Sequence, residues 1–204
     1  MEKTIYCIRH GYALHNKLFF EIGPKAYSEY RDTPLLEKGY EQAKKLNKTW
    51  DELKDIQLIV VSPCQRTLDT ATFVFQHVNT PIIAKDFLIE YPVGGSEICN
   101  KRKNIDDLKY MYPYIQFEDF PNKPYWPTQQ ETKTQLNNRI EHLLEWIGTR
   151  RESRIAIVSH SSFIGQMKDG IIGDENHELN HCHPYKIKVK YSHNKKFINM
   201  EEME

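Results

Sequence analysis

Short apolar runs alternate with stretches of helical periodicity along most of the chain. Thr4-Ile5-Tyr6-Cys7-Ile8 reads as a buried strand, followed by a polar loop through Arg31. After Pro34 the apolar positions Leu36, Tyr40, Ala43, Leu46, Trp50 and Leu53 recur at steps of three and four, which predicts a helix. Leu58 to Val61 is continuously apolar, as expected for a strand covered on both faces, and Ser62-Pro63 ends it. Thr67 to His77 reads as a helix and Pro81 to Ile89 as a weaker third strand. Tyr91 to Gln130 carries prolines at 92, 113, 121, 124 and 127, with one short helix near Ile105 to Met111. That irregular length marks 91–130 as an insertion or lid. Leu136, Ile140, Leu143, Leu144 and Ile147 mark another helix, Arg154 to Ser159 a further buried strand, and Phe163 to Ile172 a helix after it. Lys186 to Tyr191 alternates lysine with apolar residues, the pattern of an edge strand, and Met200 to Glu204 is expected to fray. The alternation predicts one α/β domain over 1–204, a doubly wound, mostly parallel sheet with helices on both faces.

Composition narrows the function. Lys plus Arg (28) balance Asp plus Glu (28), which argues against a nucleic-acid partner. No run approaches about 18 apolar residues, so no membrane helix is expected. The N-terminus enters a strand directly, without the pattern of a signal peptide, and the four cysteines lie far apart. A cytoplasmic protein with reduced thiols is the expectation.

The candidate chemistry gathers at strand ends. Arg9-His10-Gly11 closes the first strand, Arg66 follows the second, Glu90 the third, and His160 the Ile155–Ser159 strand. In an open parallel sheet, ligands collect beyond the carboxyl ends of the strands. Arg9 and Arg66 offer planar, permanently charged forks to phosphate oxygens. A neutral imidazole attacks phosphorus if its other nitrogen donates to a fixed acceptor, which makes His10 the candidate nucleophile, with Gly11 allowing close backbone approach. His160 would be a third phosphate donor, preferably protonated. Glu90, with a raised pKa, would protonate the leaving group and later activate water; Glu97 and Glu131 are rivals. No metal or other cofactor is called for.

Arg9-His10-Gly11 with Asn16, the run Ser62-Pro63-Cys64-Gln65-Arg66-Thr67, Glu90 and Val158-Ser159-His160 together resemble the histidine phosphatase superfamily, the phosphoglycerate-mutase-like fold. Leu35 to Ala43 resembles the family's first helix. The resemblance implies that His10 is phosphorylated, that Arg9, Arg66 and His160 bind the phosphate, and that Asn16 lines the pocket. Ser161 follows His160 where the acid-phosphatase branch has aspartate, which implies the branch whose proton donor is a glutamate after the third strand, here Glu90. Glu97 to Lys103, Tyr112-Pro113 and Glu131-Thr132 are similar to a plant and fungal phosphoglycerate-mutase-like subgroup, with Asn100 where aspartate is usual. True mutases are usually longer, so hydrolysis of a small phosphorylated metabolite is favoured over phosphomutase activity. A non-catalytic module that binds a phospho-ligand or a protein is a further alternative. Substrate identity is expected to depend on 91–130, and oligomeric state is left open.

Three other features read as structural. Lys101-Arg102-Lys103 is taken as a solvated helix start rather than a second anion site. Cys64 is taken as a buried thiol, because Thr70 stands where a Cys-x5-Arg loop needs arginine. His177, His181, Cys182 and His183 are taken as a polar connection rather than a zinc site, since adjacent donors share one tetrahedral ion poorly.

Overall fold

A computed structural model of the chain describes residues 1–118, 120–172 and 178–203. Its strands are β1 (Glu2–Arg9), β2 (Leu58–Val61), β3 (Ile82–Ala84), β4 (Ile115–Phe117), β5 (Arg154–Ser159), β6 (Pro184–Tyr191) and β7 (Phe197–Glu202). They form one sheet in the order β4-β3-β2-β5-β1-β6-β7. The first five strands in that order are mutually parallel; β6 is antiparallel to β1, and β7 at the edge is antiparallel to β6. The helices are α1 (Leu14–Ile22), α2 (Lys25–Glu29), α3 (Glu37–Thr49), α4 (Gln65–Val74), α5 (Ile105–Met111), α6 (Lys133–Thr149) and α7 (Ser161–Asp169).

Two cores follow from the period-two alternation of the strands. On one face Ile5, Cys7, Leu58, Val60, Ile155 and Ile157 pack against Leu136, Leu143 and Ile147 of α6 and Phe163 and Ile164 of α7. On the other, Tyr6, Ile8, Ile59, Val61, Ala156 and Val158 pack against Ala43 and Leu46 of α3, Leu68 and Val74 of α4, and Leu108 of α5. Each fully buried aliphatic side chain in these layers contributes roughly 1.5–3 kcal/mol. The sheet is therefore doubly wound, as the sequence predicts. Strand β1 leads to α3 on one face and its neighbour β5 leads to α7 on the other. That divergence opens a crevice at their carboxyl ends, where such sheets hold ligands.

Four segments differ from the sequence reading. The loop expected through Arg31 contains α1 and α2; their only buried positions are His15 and Ala26, so no apolar stripe announces them. The third strand is short, and its continuation to Leu88 is a 3₁₀ turn. Residues 91–130 contribute β4 to the sheet as well as α5. Strand β6 is not the edge, because β7 pairs outside it and takes up Met200 to Glu202, which were expected to fray. In β7 the side chains are exposed or half-buried, so burial leaves little pattern there.

Candidate active site

The parallel register sets Arg9 of β1 opposite Ser159 of β5. The next residue on each strand, His10 and His160, therefore leaves the sheet beside the other, and their ring centroids lie 5.3 Å apart. Both are buried. His10 Nδ1 stands 2.7 Å from the Gly11 carbonyl oxygen. A carbonyl only accepts, so in the neutral ring Nδ1 carries the proton and Nε2 keeps its lone pair. His160 forms the N-cap of α7, and its Nε2 lies 2.8 Å from Ser62 Oγ.

The two arginines are anchored through their terminal nitrogens. In the first turn of α4, Arg66 donates to the Cys99 carbonyl (2.8 Å) and to Asn100 Oδ1 (2.9 Å). Arg9 donates to the Leu179 carbonyl (2.6 Å) and to Glu178 (2.5 Å). Among the described residues, Arg9 Nε, Arg66 Nε and His160 Nδ1 are buried without a hydrogen-bond partner. Buried polar groups left unpaired are uncommon, and an oxyanion would supply acceptors for all three.

Burial and neighbouring charge set the protonation states. Desolvation, then the Arg66 charge, holds the His10 and His160 pKa values well below the ordinary imidazole value. His10 is thus neutral, the state a nucleophilic role would require. His160, for which the sequence reading preferred a proton, is neutral as well. Glu90 shifts the other way. Burial raises its pKa, opposed by backbone N–H groups and Arg66. Its Oε1 accepts from Tyr91 N (2.8 Å) and Phe163 N (3.0 Å), and its Oε2 from Ser162 N (3.1 Å). The carboxyl thus sits on the N-terminus of α7, within three residues of His160, and a second lone pair on Oε2 can carry a proton.

The remaining candidates divide by geometry. Asn16 Oδ1 accepts from Ala13 N at 2.9 Å, serving the first turn of α1. Gly11 N–H donates to Thr70 Oγ1 (3.0 Å), and a Cβ at Gly11 would meet the Gly39 carbonyl oxygen at 2.6 Å. The glycine is required by close packing against α3. Glu131 is taken by a two-pronged pair with Arg139 (2.6 and 2.7 Å), whose other N–H groups hold the Phe87 and Ile89 carbonyls. That pair braces the chain leading to Glu90. Glu97 is half-buried, with its pKa raised by burial. Arg102 is fully buried on Asp86 (2.7 and 3.0 Å), so it is an internal strut and not part of a solvated helix start. Cys64 is buried, with its thiol pushed up to about 12, as expected of an inert core cysteine.

Several participants escape a reading by sequence. His15, buried on α1, lies 5.5 Å from the His10 ring and 2.7 Å from Thr33 Oγ1. Its place directly before Asn16 is the one available signal. Asn100, which positions Arg66, stands in the quoted run Glu97 to Lys103. His181, read as part of a polar connection, lies 5.7 Å from the His10 ring. Burial, then Arg9, lowers its pKa to about 4. His183 meets the Tyr185 ring edge-to-face instead, and His177 lies outside the described residues. Among the described residues no group of three or more His, Cys, Asp or Glu side chains is arranged to hold a metal ion. No described helix is long and apolar enough to cross a membrane. A cavity of about 800 Å³ lined by Phe87, Val93, Tyr125 and Arg139 includes neither His10 nor His160.

The family model for the histidine phosphatase superfamily (branch 1) matches residues 5–195. Phosphoglycerate mutase-like protein 1 of Arabidopsis thaliana is 29% identical over 218 residues, covering 89% of this chain and 74% of that protein. A Schizosaccharomyces pombe protein named "Probable phosphatase" is 28% identical over 170 residues, covering 78% and 74% respectively. Among solved structures, a mycobacterial glucosyl-3-phosphoglycerate phosphatase superposes with a TM-score of 0.63 at 15% identity, covering 99% of this chain and 97% of that one.

Proposed function

Because the chain belongs to branch 1 of the histidine phosphatase superfamily, we propose that it hydrolyses a phosphomonoester of a small metabolite through a phosphohistidine at His10, without a metal ion. One observation carries this reading. Two buried imidazoles from adjacent strands lie 5.3 Å apart, beside two buried arginines with unpaired Nε atoms.

His10 Nε2 attacks phosphorus and forms the N–P bond as the ester P–O bond breaks. Arg9, Arg66 and His160 bind the equatorial oxygens, where the charge of the transition state spreads. The departing alkoxide takes the proton of Glu90. Glu90, now a carboxylate, removes a proton from water, whose oxygen attacks phosphorus. The N–P bond breaks, and inorganic phosphate leaves with His10 neutral again. The raised pKa of Glu90 supports its starting role as acid. The printed names of matched proteins, a phosphoglycerate mutase-like protein and a glucosyl-3-phosphoglycerate phosphatase, support a phosphorylated small molecule as the substrate class.

Turnover of an aryl phosphate in the presence of a chelator, quenched in alkali, should leave a base-stable, acid-labile phosphoryl group on His10, located by mass spectrometry. Loss of turnover in chelator, or a phosphoryl group on another residue, would overturn the reading. Glu90→Gln tests the proton donor. It should slow hydrolysis of an alkyl phosphate by about 10²–10⁴-fold. A nitrophenyl ester, whose leaving group needs no proton, should be slowed far less in the phosphorylation step measured by its burst. Equal losses on both esters would remove Glu90 from that role.

A further inference from the structure

Residues Glu178 to Cys182 close over the end of β1. Arg9 donates to the Leu179 carbonyl and Glu178, Cys182 N–H donates to the Arg9 carbonyl at 2.9 Å, and an isolated parallel bridge joins Arg9 to His181. Within this strap, His181 Nδ1 stands 2.6 Å from the carbonyl oxygen of His10. The acceptor is a carbonyl, so Nδ1 must carry the proton.

That carbonyl belongs to the peptide joining His10 to Gly11. The N–H of the same peptide donates to Thr70 Oγ1 (3.0 Å), and the Thr70 hydroxyl donates to the Arg66 carbonyl (2.7 Å). The peptide plane is thus gripped at both ends, by His181 on one side and by the helix that carries Arg66 on the other. The next carbonyl, that of Gly11, holds His10 Nδ1. Glycine restrains its own backbone weakly, so the aim of the His10 ring depends on these external holds.

We propose that His181 is a positioning residue, fixing the His10–Gly11 peptide plane and through it the direction of His10 Nε2. The inference rests on the reading of His10 as nucleophile. An apolar side chain would fill the same space, but only a donor can hold the carbonyl.

The test compares His181→Ala, His181→Phe and His181→Asn. The asparagine amide reaches the place of Nδ1 and keeps a donor there; the phenylalanine keeps the ring volume without one. Misaiming a reacting group by about 1 Å costs about 10²-fold. On an aryl phosphate, the alanine and phenylalanine variants should lose about 10–100-fold in kcat with KM nearly unchanged. The asparagine variant should recover to within about threefold of the parent, a rescue that a packing role would not produce. Wild-type kcat in His181→Phe, or an asparagine variant no better than phenylalanine, would overturn the proposal.

Imidazole ¹⁵N spectra give a second readout that needs no turnover. His10 should show one tautomer in the parent and in His181→Asn, and a mixture in His181→Phe. If the parent forms no phosphoenzyme while the tautomer still depends on the donor, the nucleophile reading falls and the positioning holds. If the parent forms phosphohistidine and neither kcat nor tautomer responds to His181→Phe, the positioning falls alone.

Discussion

His10→Ala is expected to lose at least about 10⁴-fold in kcat, because removing a nucleophile leaves only binding and electrostatic stabilisation. Among the described residues, the neighbouring imidazoles have one ring nitrogen already engaged. His160 already engages Ser62, and His15 engages Thr33. The groups proposed to bind phosphate survive the substitution. Arg66 is anchored by Cys99 and Asn100, and Arg9 by Leu179 and Glu178, so neither takes its hydrogen bonds from the His10 ring. Inorganic phosphate should therefore still bind the variant, as titration calorimetry would register. Turnover within tenfold of the parent would exclude His10 as the nucleophile. Loss of phosphate binding together with turnover would mean instead that the pocket had collapsed.

Stability should fall steeply below about pH 6.5, the ordinary imidazole value. His10, His15 and His160 all have folded pKa values well below that value, chiefly through desolvation. The unfolded chain then binds protons that the folded chain refuses. Stability is full above the unfolded pKa and declines as pH falls through it, by about 1.4 kcal/mol per pH unit for each such group. With His181, whose pKa burial lowers to about 4, four groups make the combined slope about 5.6 kcal/mol per unit between about pH 6.5 and 4. Asp32, Asp69 and Glu90 work in the opposite direction, since burial raises their folded pKa values and they gain protons on folding. The imidazole contribution is isolated by difference. Urea unfolding of His15→Asn, which keeps an amide near Thr33 and does not titrate, should show a slope flatter by about 1.4 kcal/mol per unit below pH 6.5. An unchanged slope in that variant would mean that His15 is charged in the folded state.

The strands that frame the site were legible because both sheet faces are covered. Leu58 to Val61 is buried at every position and Arg154 to Ser159 at all but its first, so apolar residues run without a break and the strand ends are visible. The motif residues stand at those ends, and their spacing in the chain was enough to propose a shared edge. Where burial is light or the buried residue is polar, periodicity is silent. Helix α1 shows its core only His15, and β7 keeps no fully buried side chain. Arg102 looked like surface charge because its partner Asp86 is sixteen residues distant and arrives only through folding.

The sequence by itself determined the doubly wound architecture and the family, and it set His10, Arg9, Arg66, Glu90 and His160 at or just after strand ends as candidates. Those depend on local burial pattern and on residues fixed to strand ends. Only the tertiary structure decided that Arg9 and Ser159 share a register, that Asn100 holds Arg66, and that His181 grips the carbonyl of His10. Each of these joins segments dozens of residues apart. Such hydrogen bonds depend on relative placement to within a fraction of an ångström, which no periodicity along a single chain encodes.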